Sequence, residues 1–355
     1  MERRRSSWGS RTLVLIFASM LFVGLLAVPL SATSGDFDVS VDTTLTEDLS
    51  GRIRIIDDDV TLDCAGFRVV GPGSGDGITI DNRTNVTVRN CHVSGFDEGI
   101  DVFASTGVRL ENNTVTGNSV NGIGVSSSTG GQVVGNTATA NCTKVDFTCA
   151  GISVHSGTSG TVIDGNTVTD NVNTTPKGQA FGILVGGYGS GPTNATLSNN
   201  LVARNSHDGI HLGDADGNTI IGNTAIGNLR GGIDLHNGAS NNVITDNVAI
   251  SNTWSGFAVL GNVGVGSCDN NTLSGNWADS NDHGLELYEA VKAPKSYSPA
   301  GTSTPAMGAA SVRFSKRWEY SNVSTLLFRN PTPKPGLISL LSRFQLRSEN
   351  RDTST

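Results

Sequence analysis

Ser206 to Asn228 reads SHDGIHLGDADGNTIIGNTAIGN, and Leu229 to Asn252 reads LRGGIDLHNGASNNVITDNVAISN. Laid over each other, the two stretches put Gly209-Ile210 on Gly232-Ile233, Ile220 on Val243, Asn223 on Asn247 and Asn228 on Asn252. A period of about 23 residues lies in the range where self-similarity marks a stacked architecture, each unit unable to bury its apolar face alone. The Gly-Ile element recurs at Gly77, Gly99, Gly122, Gly151, Gly182, Gly209 and Gly232, and as Gly256-Phe257 and Gly284-Leu285. A second marker, two Asn five residues apart, recurs at Asn113/Asn118, Asn136/Asn141, Asn166/Asn171, Asn200/Asn205, Asn223/Asn228, Asn247/Asn252 and Asn276/Asn281. Two independent markers in one register make chance similarity a poor explanation.

Short alternations such as Ile210-His211-Leu212, bounded by Gly, Asn, Asp and Ser, predict strands closed by turns. No repeat shows apolar spacing of helical period, so the strands must be parallel and joined by corners rather than by crossover helices. Each repeat then divides into three short strands and three corners, one coil of a parallel β-helix. An Asn at one corner of every coil is expected to bond its amide to the Asn above and below, and to tolerate the left-handed backbone of a tight turn.

The composition suits such a rod: 45 Gly, 16% charged residues and 6% aromatics. The net charge of -8 hides an asymmetry, because residues 35–291 hold 28 acidic against 10 basic side chains, whereas residues 292–355 hold 3 against 10. An acidic body argues against nucleic acid as a partner, since phosphate neutralisation needs a basic surface. Residues 1–34 carry Arg3, Arg4, Arg5 and Arg11 ahead of an apolar run from Leu13 to Leu30, the pattern of an export signal or an uncleaved membrane anchor. A β-helix is expected over 35–291, and a linker with a basic, largely disordered tail or cap over 292–355. The protein is expected to be exported, to the cell surface, periplasm or exterior, meeting a membrane only through an uncleaved N-terminal segment.

The strings DDDVTLDCAGFRVVGPGSGDGITI and TNVTVRNCHVSGFDEGIDV carry Leu62-Asp63-Cys64, Gly66, Asn90-Cys91 and Gly99-Ile100. They resemble the opening coils of NosD-like, carbohydrate-binding and sugar-hydrolase (CASH) repeat proteins. The resemblance spans about Leu45 to Tyr288 and implies an all-β fold: a right-handed, pectin-lyase-like parallel β-helix of nine to ten coils. That scaffold hosts many functions, so the resemblance does not choose one. The Arg-x-Pro-x-x-Arg signature of a pectate lyase is missing, as is the Asn-Thr-Asp, Asp-Asp and Gly-His-Gly set of a polygalacturonase.

Five cysteines in an exported chain favour disulfides. Cys142 and Cys149 flank an insertion and are the expected pair; Cys64 and Cys91, on adjacent coils, are a second candidate; Cys268 is left over. Eight N-x-S/T sequons start at Asn82, Asn85, Asn112, Asn141, Asn173, Asn194, Asn270 and Asn322.

Chemistry, if present, sits on the strand after Gly-Ile. Its outward positions include Asp101, Ser153, His211, Asp234, His236 and Glu286, with His207-Asp208 and Asp282-His283 just ahead of the strand. Asp208, His211, Asp234, His236, His283 and Glu286 form the candidate ligand-binding set, and His211, Asp234 and His236 the candidate catalytic set. Imidazole beside carboxylate suits a divalent metal or proton transfer next to a uronic acid; no other cofactor is evident. A merely solvated polar face is the competing expectation. The expected function is a non-catalytic, exported carbohydrate-binding or cell-surface module, with a polysaccharide or envelope glycan as partner. Two alternatives stay open: a polysaccharide lyase, hydrolase or uronate epimerase working through the His/Asp face, and NosD-like copper handling, which the resemblance alone suggests.

Overall fold

The computed structural model describes residues 35–288 apart from 144–145, 176–177, 187–190, 262–265 and 267, with the backbone of Val28–Leu30, Tyr297–Pro299 and Val312–Ser315. Every strand pairing between coils is parallel, and no helix occurs among the described residues. Sheet 1 follows the Gly-Ile element and stacks twelve strands, from Phe37–Val39 to Val312–Ser315. Sheet 2 contains strands such as Thr219–Ile221, and sheet 3 strands such as Thr224–Ile226. Strand Thr272–Asp279 rounds the corner between them, pairing first with Val243–Thr245 and then with Val248–Ile250. The architecture is therefore the expected parallel β-helix.

Two details differ from the sequence reading. Strands of sheets 2 and 3 are mostly three residues long, shorter than the period suggests, because the corners take the remainder. Ile220 pairs with Ile244 and Thr219 with Val243, so the residue gained by the later repeat lies in the turn after His236 rather than after the strand. The backbone of Val312–Ser315 pairs with Leu285–Tyr288, in a stretch that carries no Gly-Ile marker. The remainder of residues 1–34, expected to direct export, and of the basic tail 292–355 lies outside the described residues.

Ile, Val and Leu at the inward positions stack into one core, in which Ile100, Ile123, Ile152, Ile183, Ile210 and Ile233 are fully buried. The Asn markers lie inside that core as two ladders. Asn113, Asn136, Asn166, Asn200, Asn223, Asn247 and Asn276 pass amide to amide at 2.8–3.1 Å. Asn118, Asn141, Asn171, Asn205, Asn228, Asn252 and Asn281 do the same at 2.9–3.1 Å. A third, shorter ladder joins Asn218, Asn242 and Asn271.

Each amide is used at both ends. Asn247 Oδ1 accepts from the Asn223 backbone N–H at 2.8 Å and its amide at 3.0 Å, while Asn247 Nδ2 donates to Ile220 O at 2.9 Å and Asn276 Oδ1 at 3.0 Å. The side chain thus satisfies main-chain groups that the corner removes from the regular ladder. The left-handed conformation belongs instead to the residue just before each ladder Asn: Asn112, Gly135, Gly165, Asn199, Gly222, Asp246 and Gly275 in the first ladder. One corner position turns the chain and the next fills the interior.

The two sequence markers meet in space. A Cβ on Gly209 would stand 2.7 Å from Asn228 Nδ2, and one on Gly232 would stand 2.9 Å from Asn252 Nδ2 and 2.8 Å from Ala249 Cβ. The Gly of Gly-Ile is therefore required by close packing against the second ladder, not by a positive φ.

Both disulfides are present, Cys142–Cys149 with Cα atoms 5.8 Å apart and Cys64–Cys91 at 4.7 Å, and Cys268 is a buried free thiol. Cys91 stands directly beneath Asn113, its N–H donating to Asn113 Oδ1 at 3.0 Å, so a covalent bridge takes over where the first ladder ends. Among the sequons, Asn141 is a ladder residue and Asn173 is buried, so the folded chain offers neither to a glycosyltransferase; Asn82, Asn85, Asn112, Asn194 and Asn270 are exposed, and Asn322 lies outside the described residues.

Replacing Asn247 by Ala leaves the Asn223 N–H and the Ile220 carbonyl buried without their partner, at a cost of about 2–5 kcal/mol. Gly232→Ala costs about 1–3 kcal/mol through overpacking. Asn241→Gly, at an exposed left-handed turn position, is expected to be nearly neutral. Urea unfolding of the three variants checks the order.

Candidate functional site

The residue just ahead of Gly-Ile forms its own column along the edge of sheet 1: Glu98, Asn121, Ala150, Phe181, Asp208, Gly231 and Ser255 follow one another coil by coil. At this position a side-chain oxygen can reach the next coil's backbone. Asn121 Oδ1 accepts from Ala150 N at 2.8 Å, and Asp208 Oδ1 accepts from Gly231 N at 2.7 Å. Asp208 is thus a corner residue of the stack that carries a charge.

Sheet 1 brings the remaining groups to it. His211 pairs with Asp234 and Gly213 with His236 on the following strand. His211 Nδ1 lies 3.3 Å from Asp208 Oδ2 and 3.3 Å from Asp234 Oδ2. Neither contact is aligned as a hydrogen bond, and Asp234 has no other hydrogen-bond partner for either oxygen. Asp208 and Asp234 are each 1% exposed and His211 is 8% exposed. The sequence reading treats these as outward groups on an open face; neighbouring side chains bury them.

The neighbours are Phe181, whose ring centre is 4.6 Å from that of His211 and 4.5 Å from that of His207, and Arg230, whose Nη1 is 3.4 Å from Asp208 Oδ2. Arg230 also stands 3.3 Å from His207 Nε2, and its guanidinium lies over Trp254 at 5.0 Å. A guanidinium only donates, so His207 Nε2 accepts and its Nδ1–H donates to Asp208 Oδ2 at 3.0 Å.

The charges follow from these contacts. Burial pulls the His211 imidazole down, but Asp208 and Asp234 outweigh it and raise its pKa to about 9, so it is a cation at neutral pH. Burial pushes the Asp208 carboxyl up, and His207 and His211 more than reverse this, holding it below the usual carboxylate range. His236, half-buried with its ring 5.8 Å from that of His211, is lowered chiefly by burial and stays neutral. A proton donor and a proton acceptor therefore sit side by side. The acceptor reaches the outer surface, and His211 Nε2 faces the space over Gly213, where a Cβ would lie 3.4 Å away.

Of the six expected ligand-binding residues, Asp208, His211, Asp234 and His236 come together. Glu286 stands two strands beyond Asp234, about 10 Å along the stack, and His283 pairs with Ser255 beside Asp282. Phe181 and Arg230 were missed. Phe181 lies just ahead of Gly182-Ile183, in strand Gln179–Gly186, and its place in the column could have marked it; Arg230 is one of only 10 basic residues in the body.

Asp208, His211 and Asp234 are the one group among the described residues whose ligand atoms, all within 4.8 Å of one another, could share a metal ion. Such an ion would compete with the proton on His211 Nδ1 and with Arg230 and His207 for Asp208. With two carboxylates and one imidazole, the donor set suits a hard or borderline divalent ion better than copper(I).

The fold and this face define the class: a right-handed solenoid with a buried Asp-His-Asp cluster on the outer side of its first sheet. The chain belongs to the family described as the right handed beta helix region, whose profile matches residues 53–176 and 173–295. No curated protein matches the sequence. Among solved structures, the Dettilon tailspike protein is similar over 74% of this chain at 17% identity and a TM-score of 0.58, and this chain spans 59% of its length. The A-modules of the Azotobacter vinelandii mannuronan C-5 epimerases AlgE6 and AlgE4 are similar over 74% of this chain and 84% and 85% of theirs, at 12% and 16% identity and TM-scores of 0.55 and 0.52. At these identities the likeness shows the fold.

The site sets a pH dependence. Because the His211 pKa is raised in the folded state, its contribution is complete below the unfolded value of about 6.5 and is lost as pH climbs through about 9. Asp208, held low, contributes above about 4 and loses its contribution in acid. The Tm is expected to fall between pH 7 and 10 in the parent, and to fall less in His211→Gln, as followed by differential scanning calorimetry at closely spaced pH values.

Proposed function

We propose that this chain is an exported β-helix that lays a glycan along the outer face of sheet 1 and holds one sugar against His211 and His236. One observation carries the reading: a buried imidazolium clamped by Asp208 and Asp234 lies beside a neutral imidazole open to the surface. A structural rod gains little from this arrangement. Burying two carboxylates and a cation costs desolvation that apolar residues would avoid, and Asp234 is left with poor hydrogen bonding. Two groups whose surroundings drive their proton affinities apart form an acid and base assignment. His236 is placed to take a proton from a bound sugar and His211 to supply one, the needs of a uronate whose C5 proton is removed and returned. Two of the similar structures are mannuronan epimerases; that likeness supports the fold, and the glycan reading rests on the site. The two disulfides suit an oxidising compartment.

The test uses the full chain, exported and purified. Polymannuronate and polygalacturonate are titrated by calorimetry, with and without calcium or zinc, and incubated for proton NMR of C5 inversion and absorbance of unsaturated product. The expected result is binding, with inversion or elimination that His236→Ala reduces at least about a hundredfold, the scale of a lost acid–base group, at nearly unchanged Tm. Binding without either product leaves a non-catalytic glycan module. Binding of neither polymer under any condition overturns the proposal.

A further inference from the structure

A second feature shares the outer face of sheet 1, nearer the N-terminal coils. A groove of about 430 Å³ is lined by Arg54, Thr79, Asp81, Arg83, Asp101 and Phe103, among others. Its residues occupy the same columns as the histidine site. Arg54, Thr79, Asp101, Gly124, Ser153, Leu184 and His211 pair rung to rung, so Asp101 and His211 stand four strands, about 19 Å, apart on one track. The neighbouring column runs from Phe103 to Ser126 and, farther on, from Gly186 to Gly213 and His236. Between the two features the face carries Gly124, Ser126, Ser153 and Gly186, together with Leu184, packed against Phe181, and His155, whose Nε2 lies 2.7 Å from Ser153 Oγ.

The groove has the fittings of a sugar site. Phe103 is 46% exposed, whereas the large core side chains Phe96 and Phe257 are 1% exposed. A half-exposed ring on the outer face offers a flat apolar surface of the kind the C–H face of a pyranose covers. Arg54 is already held by Asp38 through two hydrogen bonds of 2.8 and 3.0 Å and acts as a wall. Arg83 is tied only through Nε, which donates to the Asp81 carbonyl at 2.9 Å, and its Nη1 is 3.8 Å from the nearest carboxylate, that of Asp58. At the far end Asn121 fixes Glu98 by donating to Oε1 at 3.0 Å. The space above Gly124 is shared by Glu98 and Asp101, where a Cβ would lie against Glu98 Oε2 and 3.5 Å from Asp101 Oδ1.

Burial first, then neighbouring acids, push the Glu98 carboxyl up to about 7 and that of Asp101 to about 6. At neutral pH Glu98 is therefore about half protonated, whereas Asp101 is largely ionised. Glu98, able to donate as well as accept, and Asp101, an acceptor beside it, match the mixed donors and acceptors of sugar hydroxyls.

We propose that the groove is a distal sugar subsite of the same track: Phe103 stacks on one ring, Arg83 and Asp101 bond its hydroxyls, and the polymer runs over Gly124 and Gly213 to His211. The inference rests on the glycan reading above and deepens it, because it makes the ligand a chain long enough to span both features.

Calorimetry with an oligomannuronate series and a cello-oligosaccharide series, each from disaccharide to octasaccharide, tests it. Affinity is expected to climb with length until an oligomer reaches from His211 to Phe103, and then to level off. Phe103→Ala and Arg83→Gln, both at the surface, are each expected to weaken the octasaccharide about tenfold and leave the disaccharide unchanged, whereas His236→Ala weakens both. Length-independent binding, or an octasaccharide indifferent to Phe103→Ala and Arg83→Gln, overturns the distal subsite alone. Failure of both series to bind the parent overturns the glycan reading and the subsite with it.

Discussion

The stacked Asn amide is the interaction on which the rest of this structure depends. Each coil of a β-helix must turn three corners, and at each corner main-chain groups lose the partners that strands would supply. A buried carboxamide, with one acceptor and one donor group aimed along the rod, returns those partners and passes the same requirement to the next coil. Asn223 and Asn247 show the chain of dependence, each Oδ1 accepting from the coil before while Nδ2 donates both backward and forward, and Asn276 closes it, accepting from Asn247 and donating back to Ile244 O. The second ladder in turn leaves no room for a side chain at the Gly of Gly-Ile. Ladder and glycine are thus two halves of one packing solution, repeated coil after coil.

A scaffold held so completely by its interior can carry unfavourable groups at its edge. The column ahead of Gly-Ile shows how. Asn121 and Asp208 make the same side-chain bond to the next coil, but Asp208 brings a charge that must be compensated, and His207, His211 and Arg230 gather around it. Asp234, one strand on, is buried with its oxygens poorly bonded. The cluster is held by the rod rather than contributing much to its stability, which is the pattern of a site.

The electrostatics of the outer face vary along its length. The body is strongly acidic, yet the two features with free hydrogen-bonding capacity are not simply negative. Near His211 the carboxylates are matched by an imidazolium and a guanidinium, and beside Asp101 burial leaves Glu98 about half protonated at neutral pH. A polyhydroxylated chain can meet both without confronting the net charge of the rod, because hydroxyl groups answer local donors and acceptors rather than the distant field.

The fold was legible because it is written many times. The period, the Gly-Ile element and the Asn pair repeat in register, so even an error of one residue, such as Ile220 placed on Val243, left the architecture intact. The sequence alone also placed Asp208, His211, Asp234 and His236 on neighbouring positions, since strand pairing in a solenoid follows directly from the repeat. It did not reveal that the first three are buried, because burial comes from Phe181 and Arg230, whose coil positions repeat but whose side chains differ from coil to coil. It likewise assigned the left-handed turn to the ladder Asn, when the preceding residue takes that conformation and leaves the Asn side chain inside. Periodicity determines which residues share a coil position; only the packed chain decides which of them lose water and which charges then face them at close range, and the two together shift their proton affinities.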